Sequence, residues 1–201
     1  TRTAVMAEAP VTPADILAFW RDAGPDRWYA RDDAFDAEVR RRYLDLWQRA
    51  VAGELAPWET SDDGALALVI VLDQFPRNMF RGDIRTYASD ALAREVARRV
   101  IERGLDARID PAMREFLYLP LMHSEHLGDQ LRCIELSRKP VLAESETWAE
   151  HHAVIIRRLS ASATELLARN GPACGCSTNS AMLARSSRHN SKVLLSRAMA
   201  K

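Results

Sequence analysis

The sequence predicts an all-α protein, and three observations carry that reading. Apolar residues recur at three- and four-residue steps in successive stretches from Thr12 to about Leu159, the spacing that gathers them on one helix face. The stretches tend to open on a capping residue and to close on Gly or Pro. No β-branched run alternates with period two, and no Asn-Gly or Asp-Gly turn joins two alternating runs, so strands and hairpins are not expected.

The first helix opens at Thr12-Pro13-Ala14-Asp15, where a capping hydroxyl, a first-turn proline and an acid three residues on coincide. Ile16, Phe19 and Trp20 share its face, and Gly24-Pro25 stops it. A second helix starts at Asp32 or Asp33 and carries Phe35, Val39, Tyr43, Leu46, Trp47, Ala50 and Val51 as one stripe before Gly53. The third starts at Ser61 or Asp62. Its unbroken apolar run from Ala65 to Leu72 marks it as the central, most buried rod. Pro76 is expected to end it, because proline disfavours helical geometry at Phe75.

A fourth helix follows Ser89-Asp90, with Leu92, Val96 and Val100 in line and Gly104 as stop. A fifth begins at Asp110-Pro111, carries Met113, Phe116 and Leu117, and is expected to break near Pro120. A sixth, capped by His123 or Ser124, aligns Leu127, Leu131 and Ile134. A seventh runs from about Ser145 through Trp148 and Ile155 to Leu159.

The chain has 201 residues, with 28 basic and 28 acidic residues and 47% hydrophobic residues. That suits one folded domain and excludes a chain disordered throughout. The expected organisation is a flexible segment over 1–11, a helical domain over 12–159, and a basic, Ser-rich tail over 160–201. Thr1 to Pro10 lacks a secretory pattern, and Met6 is the expected natural start. Cys133, Cys174 and Cys176 cannot all pair, so a reducing, cytoplasmic setting is expected. The longest apolar run is far below the ~18 residues of a membrane span.

The balanced charge hides an asymmetry. From His151 onward there are eight basic residues and one acid, Glu165. A nucleic-acid arm is one reading of that tail and a solvated basic face the other. The absence of any aromatic residue after Trp148 favours the second, so no nucleic-acid partner is expected.

Two polar clusters interrupt the apolar helices. The first is Asp73-Gln74-Phe75-Pro76-Arg77-Asn78-Met79-Phe80-Arg81. Asp73 shares the face of Leu66, Val69 and Ile70, so its carboxylate needs a partner, with Arg77 and Arg81 nearest. Either the cluster is a structural ion pair, or it holds an anionic ligand in a cleft. The second is His123-Ser124-Glu125-His126-Leu127-Gly128-Asp129-Gln130. His123, His126 and Asp129 at three-residue steps could face a divalent metal. Helix capping and packing explain the same residues and are preferred, so no metal and no cofactor is expected. Glu150-His151-His152 and Cys174-Gly175-Cys176 are weaker candidates, and Cys133 reads as a core thiol. No phosphate loop, His-Glu-x-x-His or Gly-x-Ser-x-Gly motif is present.

The stretch Leu72 to Gly82, then Tyr118-Leu119-Pro120-Leu121-Met122-His123-Ser124-Glu125 with Asp129-Gln130, resembles the bacterial DUF924 family of uncharacterised proteins. Ile16-Leu17-Ala18-Phe19-Trp20, Trp28-Tyr29 and Phe35-Asp36 fit the resemblance too. It implies a tetratricopeptide-like α-α superhelical bundle and no established catalytic residue. It also singles out Asp73, Gln74, Arg77, Asn78, His123, Ser124, Glu125, Asp129 and Gln130, to which the residue reading adds Arg81, as the candidate ligand-binding set. After Ile155-Ile156-Arg157-Arg158 the family pattern continues Phe-Gly-Arg-Phe-Pro-His-Arg-Asn, whereas this chain reads Leu159-Ser160-Ala161-Ser162. Such an abrupt loss of acids and aromatics is what an out-of-frame translation leaves. The expected function is a binding or scaffold module for a peptide or protein partner. The alternative is an enzyme or small-ligand protein whose pocket joins segments 73–81 and 123–130.

Overall fold

The computed structural model describes residues 10–138 together with 150, 151, 153, 154, 156 and 157, and every regular element among them is helical. The tail, Cys174 and Cys176, the departure after Leu159 and most of the seventh expected helix lie outside the described residues. No helix among the described residues is long and apolar enough to cross a membrane.

Local chemistry sets the first helices as expected. α1 (Pro13–Ala23) opens on a reciprocal cap: Thr12 Oγ1 accepts from Asp15 N–H, and Thr12 N–H donates to the Asp15 carboxylate at 2.8 Å. Gly24 then takes a left-handed φ of 69°. A single turn, α2 (Pro25–Trp28), follows. α3 (Asp33–Val51) is capped by the Asp32 carboxylate, and Phe35, Val39, Tyr43, Leu46, Trp47 and Ala50 form its buried stripe, whereas Val51, expected on that stripe, is exposed in the last turn.

α4 (Asp62–Val69) begins at Ser61 and is the central rod. Gly64 lets its first turn press against the preceding loop, because a Cβ there would lie 2.2 Å from the Trp58 carbonyl oxygen. From Gly64 to Pro76 no residue is exposed, and α1, α3, α6 (Asp90–Glu102) and α7 (Pro111–Met122) pack around this stretch. Phe19, Trp20, Phe35, Tyr43, Phe75 and Phe116 form a chain of ring contacts through the centre.

The rod does not end at Pro76. It widens into a π-helical segment, Ile70–Gln74, and continues as α5 (Phe75–Met79), with Phe75 itself in helical geometry. Phe75 N–H bonds back five residues to the Ile70 carbonyl. An ordinary residue at position 76 would donate to the Leu72 carbonyl. That carbonyl accepts instead from Ser89 Oγ at 2.6 Å, and Ser89 Oγ in turn accepts from Trp47 Nε1–H at 2.9 Å. A side chain from the head of α6 thus replaces the bond that proline removes.

Four further expectations are corrected. Pro120 lies inside α7. It forfeits one helical bond, at about 3 kcal/mol, but Phe116 to Met122 are buried without interruption, and each large apolar side chain there contributes about 1.5–3 kcal/mol. On α6 the buried positions are Ala93, Val96, Ala97 and Val100, while Leu92 is exposed. On α8 (Leu127–Ser137) both Leu127 and Leu131 are exposed, and the helix buries Asp129, Gln130, Cys133, Ile134, Leu136 and Ser137. Its polar residues turn inward because they have partners there. Its N-cap residue is His126, which makes no side-chain cap.

Ser89→Ala would leave a buried carbonyl and a buried indole N–H without partners. At about 1–3 kcal/mol for each, urea denaturation is expected to show a loss of about 2–6 kcal/mol. An unchanged midpoint would mean that Ser89 is not what satisfies the proline gap.

Candidate functional site

The π-helical turn delivers Asp73 into the interior. Such a turn inserts one extra residue per cycle and shifts the face presented by everything after it. Asp73 has no solvent exposure. Its Oδ1 meets Arg77 at 3.1 Å and His123 Nδ1 at 3.0 Å, and its Oδ2 accepts from Gln74 Nε2 at 2.6 Å. Arg77 also donates to the Asp73 carbonyl at 2.7 Å and to Asp90 at 3.1 Å. Burial by itself pushes the Asp73 carboxyl up, but Arg77 and His123, with hydrogen bonds from His123 and Gln74, outweigh it and hold it below the usual range. Burial works against the Arg77 charge as well, and Asp73 and Asp90 more than restore it.

The second cluster folds the turn between α7 and α8. Gln130 Nε2 donates to the carbonyls of Met122 and Ser124, which closes the turn. Ser124 Oγ donates to Asp129 at 2.6 Å and accepts from His126 N–H at 3.1 Å. Asp129 also pairs with Arg98, and Arg94 lies 3.6 Å away.

The structure therefore joins Asp73, Gln74 and Arg77 to His123, and chains Ser124, Asp129 and Gln130 beside them. It takes Arg81 and Asn78 elsewhere. Both bind Asp36 on α3, Arg81 through two bonds of 2.7 and 2.9 Å and Asn78 through one of 2.8 Å. Arg81 is thus not a partner of Asp73. His123 follows α7 whereas Asp129 lies in α8 and His126 is exposed, so these three do not share a helix face. No group of three His, Cys, Asp or Glu among the described residues is placed to hold a metal. Glu150 and His151 are exposed.

Residues outside the sequence-derived set complete the seam. Asp90, Arg94 and Arg98 recur every four residues on α6, so they stand on one face. Asp90 engages the first cluster and the two arginines the second. That acid-base-base spacing was the available signal, though a stripe of charges on a helix ordinarily faces water.

Among the described residues eight buried polar side-chain atoms have no hydrogen-bond partner; four are His123 Nε2, Glu125 Oε1, Gln130 Oε1 and Arg94 Nε, and the other four are Trp20 Nε1, Tyr43 Oη, Arg114 Nε and Ser137 Oγ. Hollows on the outer face of α3, around Arg40, Leu44 and Gln48, and beside α8 lie away from the seam. Asp73 fixes the His123 ring by its Nδ1 edge and leaves Nε2 without a protein partner.

An all-helical protein with a buried acid–histidine–guanidinium seam is the class that this geometry defines. The model of the family of bacterial proteins of unknown function, DUF924, matches residues 16–161. A solved protein of unknown function from Agrobacterium tumefaciens is 40% identical, superposes with a TM-score of 0.71, and aligns over 74% of this chain and 84% of its own. No curated protein matches. The chain belongs to the DUF924 family.

Two outcomes are expected from the buried ionisable groups. The Asp73 carboxyl is held below its unfolded value of about 3.9, so it adds stability above that pH and loses the contribution as pH falls through the folded value. Asp73→Ala is expected to cost about 3–5 kcal/mol at neutral pH, and Asp73→Asn to flatten the acid limb of melting curves. Unchanged curves would place the carboxylate in water. Burial also pushes the Cys133 thiol up to about 12, which keeps it from forming the reactive thiolate. Cys133→Ser should therefore leave the native count of fast-reacting thiols unchanged with Ellman's reagent and lower the unfolded count by one.

Proposed function

We propose that this protein binds a small polar ligand at the seam where segment 73–77 meets segment 123–130. The observation that carries this reading is that four of the eight buried polar side-chain atoms without a hydrogen bond among the described residues belong to His123, Glu125, Gln130 and Arg94. Such atoms cost about 1–3 kcal/mol each when left unpaired, and packing alone gives no return for them. His123 supports it further, since its ring is oriented by Asp73 while its far nitrogen has no protein partner. A thermal-shift panel of small amines, carboxylates, phosphates and polyols is expected to contain compounds that raise the melting temperature saturably in the wild type and not in His123→Leu. A panel without any saturable shift would sink the reading.

A second reading, recognition of a peptide partner by a tetratricopeptide-like helical face, has its own support. Leu131, Ile134, Ala153 and Val154 floor a hollow of about 320 Å³ beside α8, rimmed by Glu135, Arg138, Glu150 and Arg157. Leu131 and Val154 are exposed there, as helix-in-groove recognition requires. Helical peptides selected on the wild type by phage display are expected to lose binding to Leu131→Asp. Selections that enrich nothing would remove this reading.

A further inference from the structure

We infer that the ligand of the seam presents a primary ammonium group, held by Glu125, Gln130 and His123; the inference rests on the reading of the seam as a binding site. Three carboxylates there, Asp73, Asp90 and Asp129, are held by three guanidinium groups, Arg77, Arg94 and Arg98, and Glu125 lies on the same turn as Asp129's partner Ser124. Arg77 bridges Asp73 and Asp90, and Arg94 and Arg98 both serve Asp129. Glu125 is the carboxylate left over, and its buried Oε1 has no partner. A carboxylate so placed repels phosphate and carboxylate ligands and attracts a cation.

The other unbonded atoms match the same guest. Gln130 spends its amide N–H donors on the carbonyls of Met122 and Ser124, which fixes the amide orientation and leaves Oε1 as an acceptor. His123 keeps only 5% of its side-chain surface exposed, and Nδ1 faces the Asp73 carboxylate. The proton therefore sits on Nδ1, and in the neutral ring Nε2 carries a lone pair. Three acceptors thus lie on a turn of eight residues that Gln130 itself ties shut. An ammonium group supplies three N–H donors and one positive charge. The remaining orphan, Arg94 Nε, already lies 3.6 Å from Asp129 and needs no ligand.

The test uses guests of similar size and different charge: ethylammonium, acetate, ethylene glycol and tetramethylammonium, titrated into the full chain with ¹⁵N-labelled histidine and glutamine side chains. Ethylammonium is expected to saturate, moving the His123 Nε2 and Gln130 amide signals. Glu125→Gln is expected to raise its Kd at least tenfold with an unchanged melting temperature, whereas Glu135→Gln, on the outer side of α8, leaves Kd unchanged. Tetramethylammonium, with the charge but no N–H, is expected not to compete. Binding of acetate or ethylene glycol at the same signals would overturn the ammonium assignment and leave the site standing. Equal binding of tetramethylammonium would overturn the three-donor match. Silence from all four guests in the wild type would overturn both the assignment and the site.

Discussion

Asp73 sits, without solvent exposure, at the end of the most apolar stretch of the chain. An ionised carboxylate in such a place costs several kcal/mol unless charge and hydrogen bonds are brought to it. Its neighbours meet that demand from three directions. Arg77 comes from the next helical turn, His123 from the end of α7, and Asp90 reaches Arg77 from the head of α6. The relative placement of α5, α6 and α7 is therefore tied to one buried charge. Each link is short and directional, so the seam fixes register where apolar packing alone would tolerate sliding.

The backbone arrangement that delivers this charge is itself out of the ordinary. A π-helical turn precedes a proline in the middle of a buried rod, and both disturb the ladder of helical bonds. Ser89 accommodates the disturbance by donating to Leu72 while accepting from Trp47. One hydroxyl at the head of α6 thus joins α3, the π-helical turn and α6, one residue before Asp90 joins the same helix to Arg77. Charge and backbone repair are anchored at neighbouring residues of one helix.

Much of the fold was legible in the chain. Caps at Thr12, Asp32 and Ser61, the stop at Gly53 and the buried rod over Ala65–Leu72 follow from local rules, and local rules govern helix ends and periodicity. The misreadings share a cause. Pro76 and Pro120 were expected to break helices because proline's cost is local, while the burial and the Ser89 bond that offset it are tertiary. Leu92, Leu127 and Leu131 were assigned to buried faces because apolar side chains usually seek the core. On α8 that face belongs to Asp129 and Gln130, whose partners lie far away in sequence. The need of Asp73 for a cation was readable, and Arg77 was among the candidates. The choice of Asp36 by Arg81 was not, since nothing within either segment encodes a contact forty-five residues distant. The same holds for Arg94 and Arg98, which local reasoning would leave in water.

The family motifs divide into two kinds of residue once their contacts are known. Asp73, Gln74, Arg77, Asn78, Arg81, Ser124 and Asp129 are engaged with one another, with α3 or with α6. Stability and register are sufficient reasons for a chain to keep them. His123, Glu125 and Gln130 differ, because each carries a buried polar atom with no hydrogen bond. Selection for stability alone would replace Glu125 with an apolar residue, since an unpaired buried acceptor lowers stability wherever it occurs. A local rule broken without structural return is where function is to be sought. On the proposed reading the engaged residues form the frame, and the turn from His123 to Gln130 is the part that would meet a ligand.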